Sequence, residues 1–174
     1  MTVGANDLSN VASQIAFEIT SRCVAAGIAE VEQRIIADFI VIVAQSLPEE
    51  VAKRITLNPR GVIGWTARIA DKELARDIAK IDPVGFALGV ASEALVEFVR
   101  SEAPHSTILQ NLGVEALTFS IRETTVAYAA ARGGIQAAIA AQSIVSGTTL
   151  FEASQAVYDV TYARLTESDR KSVV

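Results

Sequence analysis

The stretch NPRGVIGWTARIADKELARDIAKI, residues 58–81, decides where the chain divides into helices. It opens with a turn signal, because Pro59 disfavours helical backbone at Asn58. The two glycines that follow permit backbone angles that other residues avoid, which is typical of turns. We therefore expect a helix to begin only after this turn, at about Trp65.

The second part of this stretch predicts one amphipathic helix, which Pro83 ends. Arg76 and Asp77 are adjacent in it, so their side chains leave the helix about 100° apart, and one of them is expected to flank the buried face. Two interpretations remain open. Either both residues form exposed i,i+3 ion pairs with Glu73 and Lys80, or they lie at the rim of a pocket. The apolar residues at helical spacing are Ala70, Leu74, Ile78 and Ile81.

Length and composition favour one all-α domain. The 174 residues fit a single compact domain, 1–174, of about seven to eight helices, and we expect residues 1–6 and 167–174 to be flexible. The chain is 51% apolar but only 6% aromatic, so its core must be built mainly from Ala, Val, Ile and Leu, which suits closely packed helices. This apolar content also favours a homo- or hetero-oligomer formed through apolar helix faces.

Charge and the rarest residues exclude several classes of protein. The net charge of −5, with basic residues scattered among acidic ones, argues against nucleic-acid binding. Cys23 is the only cysteine, and no secretory signal or Cys/His metal spacing is visible, so we expect a cytoplasmic protein. Cys23 is interpreted as a small buried hydrophobe, the alternative being a reactive or cofactor-bearing thiol. His105, the only histidine, is expected to be a cap or surface residue.

The N-terminal third predicts three helices, the first capped near Asp7. Residues 39–44, FIVIVA, suit either a buried strand or a helix, and the helical stripe before them favours helix. The stretch SLPEE, residues 46–50, is typical of a helix start, because its proline and acidic residues fall in the first turn. The predicted stripes are Val11, Ile15 and Ile19 in the first helix and Ile28, Val31, Ile35, Phe39 and Ile42 in the second.

The C-terminal half predicts further helices, broken by glycines. Residues 133–151 carry no charge and approach the length of a membrane span, but the polar residues within them favour a buried helical hairpin. Gly133 and Gly134 are a turn signal, and Gly147 is another break. Arg122 and Glu123 are expected to form a solvent-facing side of their helix. The predicted apolar stripes are Phe86, Val90, Leu95, Phe98 and Val99, and, after a cap at Thr148 or Thr149, Phe151, Val157 or Tyr158, Tyr162 and Leu165.

Five short segments of the chain are similar to segments of a known protein family and follow one another in the same order. They are RIIADF at 34–39, NPRG at 58–61, LARDI at 74–78, NLGVEAL at 111–117 and ASQAVYDVTYARL at 153–165. In these segments, and in its length, the chain resembles the phycobiliproteins, which are globin-like light-harvesting subunits. The resemblance implies a globin-like arrangement of helices with an N-terminal helical extension.

The resemblance also implies a binding site. In that family the segment similar to LARDI holds a cysteine that carries an open-chain tetrapyrrole, an arginine that meets a propionate and an aspartate that meets pyrrole nitrogens. It thus assigns the last two roles to Arg76 and Asp77, whose chemistry fits them. Leu74 stands where the cysteine would be, so a bilin would be bound here without a covalent link. Ala79, Lys80 and Ile81 replace the aromatic residues that usually follow, and Pro83 also departs from the family's pattern.

We therefore predict a non-catalytic, phycobiliprotein-like helical subunit that acts in assembly or binds a tetrapyrrole non-covalently. The alternative is a structural α-helical subunit of another homo-oligomeric assembly that binds no ligand. An enzyme is the least favoured class, because acids and bases are present but no constellation joins them.

Overall fold

The computed structural model describes residues 5–24 and 27–160, and every regular element within those ranges is helical. The all-α prediction is confirmed, with nine α-helices in this part of the chain instead of seven or eight. They are α1 (Ala5–Cys23), α2 (Glu30–Ser46), α3 (Glu49–Leu57), α4 (Pro59–Ala70), α5 (Glu73–Ile81), α6 (Pro83–Glu102), α7 (Thr107–Leu112), α8 (Val114–Ser146) and α9 (150–160). A short 3₁₀ turn, Ala103–His105, links α6 to α7.

The stretch of residues 58–81 folds as two helices, so the prediction of one helix from Trp65 is wrong. Helix α4 begins six residues earlier, at Pro59, because the Asn58 side chain accepts a hydrogen bond from the Gly61 N–H at 3.1 Å and proline is favoured in the first helical turn. Helix α4 then ends at Ala70, and α5 begins after a two-residue connection. A cap followed by proline therefore marks a helix start here.

Helix α6 lies at the centre of the fold. Of its 20 residues, 13 are buried, so nearly every side of the helix contacts protein. It packs most extensively on α8 and also contacts α1, α2, α4 and α5, and residues from all of these helices belong to one core cluster. The predicted stripe of α6 is confirmed, since its five residues are each at most 2% exposed.

Helix α8 is a hairpin that turns at Gly134, where the sequence predicts a turn, because this glycine has non-helical backbone angles (φ 76°, ψ −171°). We call residues 114–133 the first arm and residues 135–146 the second arm. The first arm runs antiparallel to α6, since ion pairs join Arg122 to Glu93 and Glu115 to Arg100. Among the described residues, no helix is long and apolar enough to cross a membrane.

The second arm runs parallel to α6 at very short distance. A Cβ atom on Gly85 would lie 2.4 Å from the Ala140 Cβ, and one on Gly89 would lie 2.9 Å from the Ile144 Cβ. The residue numbers increase in the same direction along the two helices, from Gly85 to Gly89 on α6 and from Ala140 to Ile144 on the second arm, so the two helices run parallel. The first arm and the second arm therefore run antiparallel to each other and enclose one side of α6.

Several predicted faces need correction. On α2, Val31 and Ile42 are 68% and 46% exposed, whereas Phe39 is buried. On α9, Phe151 is 72% exposed and Ala153 is buried, while Tyr162 and Leu165 lie outside the described residues, as do most of the predicted flexible ends. The cause is the same in both helices, because consecutive apolar residues do not show which side faces the core. Helix α1 starts at Ala5, before the predicted cap at Asp7.

Candidate functional site

A cavity of about 500 Å³ lies where the last two turns of α1, the end of α4, the second half of α5 and the start of α6 meet. Its floor is apolar and buried, and its walls are mostly charged. The floor residues are Ala70, Ala79 and Phe86, and the wall residues are Glu18, Ser21, Arg22, Asp71, Arg76 and Lys80. The cavity thus combines an aromatic floor with ionic groups at its rim.

The local fold explains how these side chains converge. The connection of two residues between α4 and α5 turns the chain, and Asp71 in this connection faces the end of α1. Arg76 and Lys80 are four residues apart on α5, so they lie on the same side of that helix. Arg22 lies in the last turn of α1, where a cation is favoured by the helix dipole.

The three cations of the cavity have different partners. Arg22 donates a hydrogen bond from Nη1 to Asp71 Oδ1 and lies 3.6 Å from Glu18, so its charge is balanced. Arg76 lies 3.7 Å from the same Asp71 oxygen, which is beyond hydrogen-bond distance, and its side chain is 65% exposed. Lys80 has no ion pair within the described ranges. Two cations are therefore available to an anionic ligand.

The structure separates the two residues that the sequence singled out. Arg76 lines the cavity, as the pocket interpretation predicts, whereas Asp77 is exposed on α5 and does not line it. Neither predicted i,i+3 ion pair forms, and Arg76 lies near Asp71 instead of Glu73. Both residues are exposed, and Arg76 is the one of the pair that lies beside the buried face, since it lines the cavity together with the buried Ala79.

Sequence reasoning assigned none of the other cavity residues to a binding site. Arg22 and Asp71 are 49 residues apart, and neither belongs to a recognisable motif. The only local signal is the i,i+4 spacing of Glu18 and Arg22 on α1. Phe86 is a core residue, as predicted, and it also lines the cavity.

A second concave surface, of about 420 Å³, is the groove between the two arms of α8 and α9. We call it the apolar groove. The apolar residues that line it are Phe119, Val126, Ala127, Ala130, Ala138, Val145, Ala156, Val157 and Val160. At the edge of this groove, Arg122 donates hydrogen bonds to both carboxylate oxygens of Glu93, at 2.8 Å and 3.2 Å. Arg122 is therefore partly buried, which corrects its predicted solvent-facing position. Glu123 is exposed, as predicted. The hydrogen bond to Glu93 raises the pKa of Arg122.

Cys23 is fully buried, which confirms its interpretation as a small hydrophobe. Burial, with a smaller contribution from Glu32, raises the pKa of its thiol to about 12. His105 is exposed in the 3₁₀ turn, as expected. Within the described residues, no group of three or more His, Cys, Asp or Glu side chains could hold a metal ion.

Comparison of the chain with protein-family models, with curated proteins and with solved structures finds no match.

Proposed function

We propose that this protein is a non-catalytic helical subunit that binds a carboxylate-bearing tetrapyrrole non-covalently in the cavity between α1, α4, α5 and α6. The observation that supports this most directly is the position of Arg76, whose exposed guanidinium borders a cavity with a phenylalanine floor. A tetrapyrrole combines a large apolar surface with propionates, which is the combination that the cavity offers. The globin-like arrangement and the cytoplasmic location implied by the sequence form part of this proposal.

The size and charge of the cavity suit such a ligand. A volume of about 500 Å³ falls within the usual range of small-molecule sites, roughly 300–1,000 Å³. Arginine binds carboxylates through two parallel hydrogen bonds, so Arg76 would fix one end of the ligand. Lys80 adds a second positive charge one helical turn away.

The proposed binding is non-covalent. Leu74 occupies the position at which the resemblance would require a cysteine, and it carries no nucleophile. Cys23 is no substitute, because the thiolate is the nucleophile, and the Cys23 thiol is buried with a pKa raised to about 12.

A spectroscopic titration tests the proposal. The protein is mixed with biliverdin or haem, and we expect a saturable, red-shifted visible band with biliverdin. Arg76→Ala should raise the Kd about ten-fold or more, because a hydrogen bond to a charged group contributes roughly 1.5–3 kcal/mol. Arg34→Ala, which removes an exposed arginine of α2, is the matched control and should leave the Kd unchanged. Spectra that the protein never changes would exclude tetrapyrrole binding.

The role that the resemblance assigns to Asp77 needs its own variant, since this residue lies beside the cavity and not in its lining. If a bound tetrapyrrole extends across α5, Asp77→Ala weakens binding together with Arg76→Ala, and the double variant abolishes it. If the ligand stays within the cavity, Asp77→Ala binds as the unmodified protein does. The same titration distinguishes these two positions of the ligand.

The second candidate is a structural subunit of a homo-oligomer, which the apolar groove favours. Phe119 lines this groove and is 67% exposed, and Val160 at the same groove is 52% exposed. Apolar surface of this kind marks contact sites on many proteins. Sedimentation velocity over a range of concentrations should then show an assembly that Phe119→Glu dissociates. Phe17→Glu, at a residue of α1 that is 74% exposed, is the matched control, and a monomer at every concentration would contradict this candidate.

A further inference from the structure

Asp71 lies between the cations of the cavity that carries the proposed function. Its Oδ1 atom accepts the hydrogen bond from Arg22 and is also the atom 3.7 Å from the Arg76 guanidinium. The carboxylate of Asp71 thus stands beside Arg76, where the carboxylate of a ligand would have to lie. The protein itself supplies an anion beside Arg76, the more exposed of the two arginines of the cavity.

We infer that Asp71 is a tethered competitor that lowers the affinity of the cavity for carboxylate ligands and thereby sets its specificity. The inference rests on the proposed function, because it concerns the same cavity. A ligand carboxylate at Arg76 meets two opposing effects, attraction by the guanidinium and repulsion by Asp71. A ligand without a free carboxylate meets neither of them.

The two contacts of Asp71 are unequal, which determines how the ligand would replace it. Asp71 is hydrogen-bonded to Arg22, and Glu18 is near the same guanidinium, so this part of the network is held from two sides. The contact to Arg76 is longer than a hydrogen bond, and the Arg76 side chain is mostly solvent-exposed. A ligand would therefore separate Arg76 from Asp71 while the pair of Asp71 with Arg22 stays intact.

Asp71→Asn tests the inference, because asparagine keeps an oxygen that accepts from Arg22 and loses the negative charge. The probes are biliverdin, which has two free propionates, and its dimethyl ester, which has none. We expect the Kd for biliverdin to fall about two- to five-fold at low salt, the size of effect expected for a partly exposed ion pair. The Kd for the ester should not change, since a purely structural effect would move both probes.

Asp38→Asn is the control for net charge, because Asp38 is exposed on α2 and lies outside the cavity lining. Weaker or unchanged binding of biliverdin to Asp71→Asn, or an equal gain for the ester, would overturn the inference while the proposed function stands. Saturable binding by Asp71→Asn alone would support the inference and show that Asp71 prevents binding in the unmodified protein. Binding by neither protein would overturn both. Asp71→Ser repeats the test if asparagine impairs folding.

Discussion

Gly85 of α6 and Ala140 of the second arm are so close that a Cβ on Gly85 would lie 2.4 Å from the Cβ of Ala140. The same added atom would lie 2.7 Å from the Ala137 carbonyl oxygen, which is backbone and cannot rotate away. The two helices therefore pack at main-chain distance, and small residues are needed on both of them. This contact determines how tightly the hairpin encloses α6.

Gly85→Ala should therefore lower the free energy of unfolding by about 2–3 kcal/mol, because overpacking forces the two helices apart. Gly64→Ala is the matched control, since Gly64 also lies in a helix but an added Cβ would meet nothing within 4 Å. There alanine should raise the stability by about 0.5–1 kcal/mol, through its helix propensity. Urea unfolding followed by circular dichroism measures both changes, and equal effects would contradict the close contact.

Arg122 and Glu93 should be energetically coupled. Their side chains are 30% and 12% exposed and share two hydrogen bonds, so a double-mutant cycle with Arg122→Ala and Glu93→Ala should give a coupling of about 1–2 kcal/mol. The pair Arg100–Glu97 is more exposed and lies within one helix, and its cycle should give only about 0.3 kcal/mol. Similar coupling in both pairs would argue against the bridge between α6 and the first arm.

Cys23 should be unreactive in the folded protein. At pH 8.5 iodoacetamide should label it only after unfolding, because burial raises the pKa of the thiol to about 12. The raised pKa also predicts the sign of a pH effect. The thiol's contribution to stability is complete below about pH 9 and is lost as the pH rises towards 12, because only the unfolded state ionises in this window.

The alkaline decline in unfolding free energy should therefore be steeper for the unmodified protein than for Cys23→Ala. The difference between the two curves removes the contribution of tyrosine and lysine titration, which both proteins share. Parallel curves between pH 9 and pH 11, or rapid labelling of the native protein, would show that the thiol is accessible.

Asp82 should act as the N-cap of α6. Its side-chain oxygen accepts from the Gly85 N–H at 2.9 Å, so Asp82→Ala should lower the unfolding free energy by about 1 kcal/mol. Asp82→Asn keeps an acceptor in the same place and should cost much less. Thermal unfolding of both variants checks this, and equal losses would mean that the negative charge matters and the hydrogen bond does not.

The sequence predicts helix content well because the residues that begin and end helices act locally. Asn58 with Pro59 and Asp82 with Pro83 each combine a cap with a proline, and α4 and α6 begin at these prolines. The first of these signals predicts a turn before a later helix, but in the structure Asn58, like Asp82, accepts from a glycine N–H three residues on and caps a helix. The break between α4 and α5, at Asp71 and Lys72, contains no glycine or proline, so the sequence does not predict it.

The candidate site was predictable only in part, because it depends on contacts between distant segments. Arg76 was found through its place in LARDI, but the ion pair of Arg22 with Asp71 joins α1 to the connection before α5. The spacing of residues in the sequence does not predict the contact between Arg22 and Asp71. The face of α2 was misassigned for a different reason, since FIVIVA is apolar throughout and Ile42 is exposed although its neighbour Val43 is buried.

The central position of α6 has a consequence for protein synthesis. Its surroundings come from both directions along the chain, with α1, α4 and α5 made before it and both arms of α8 made after it. A nascent chain that ends at Glu102 leaves the side of α6 around Gly85 and Gly89 uncovered until the second arm, through Ser146, has left the ribosome. The helix that becomes the centre of the protein is therefore an apolar surface that a ribosome-associated chaperone could bind while residues 103–146 are being made.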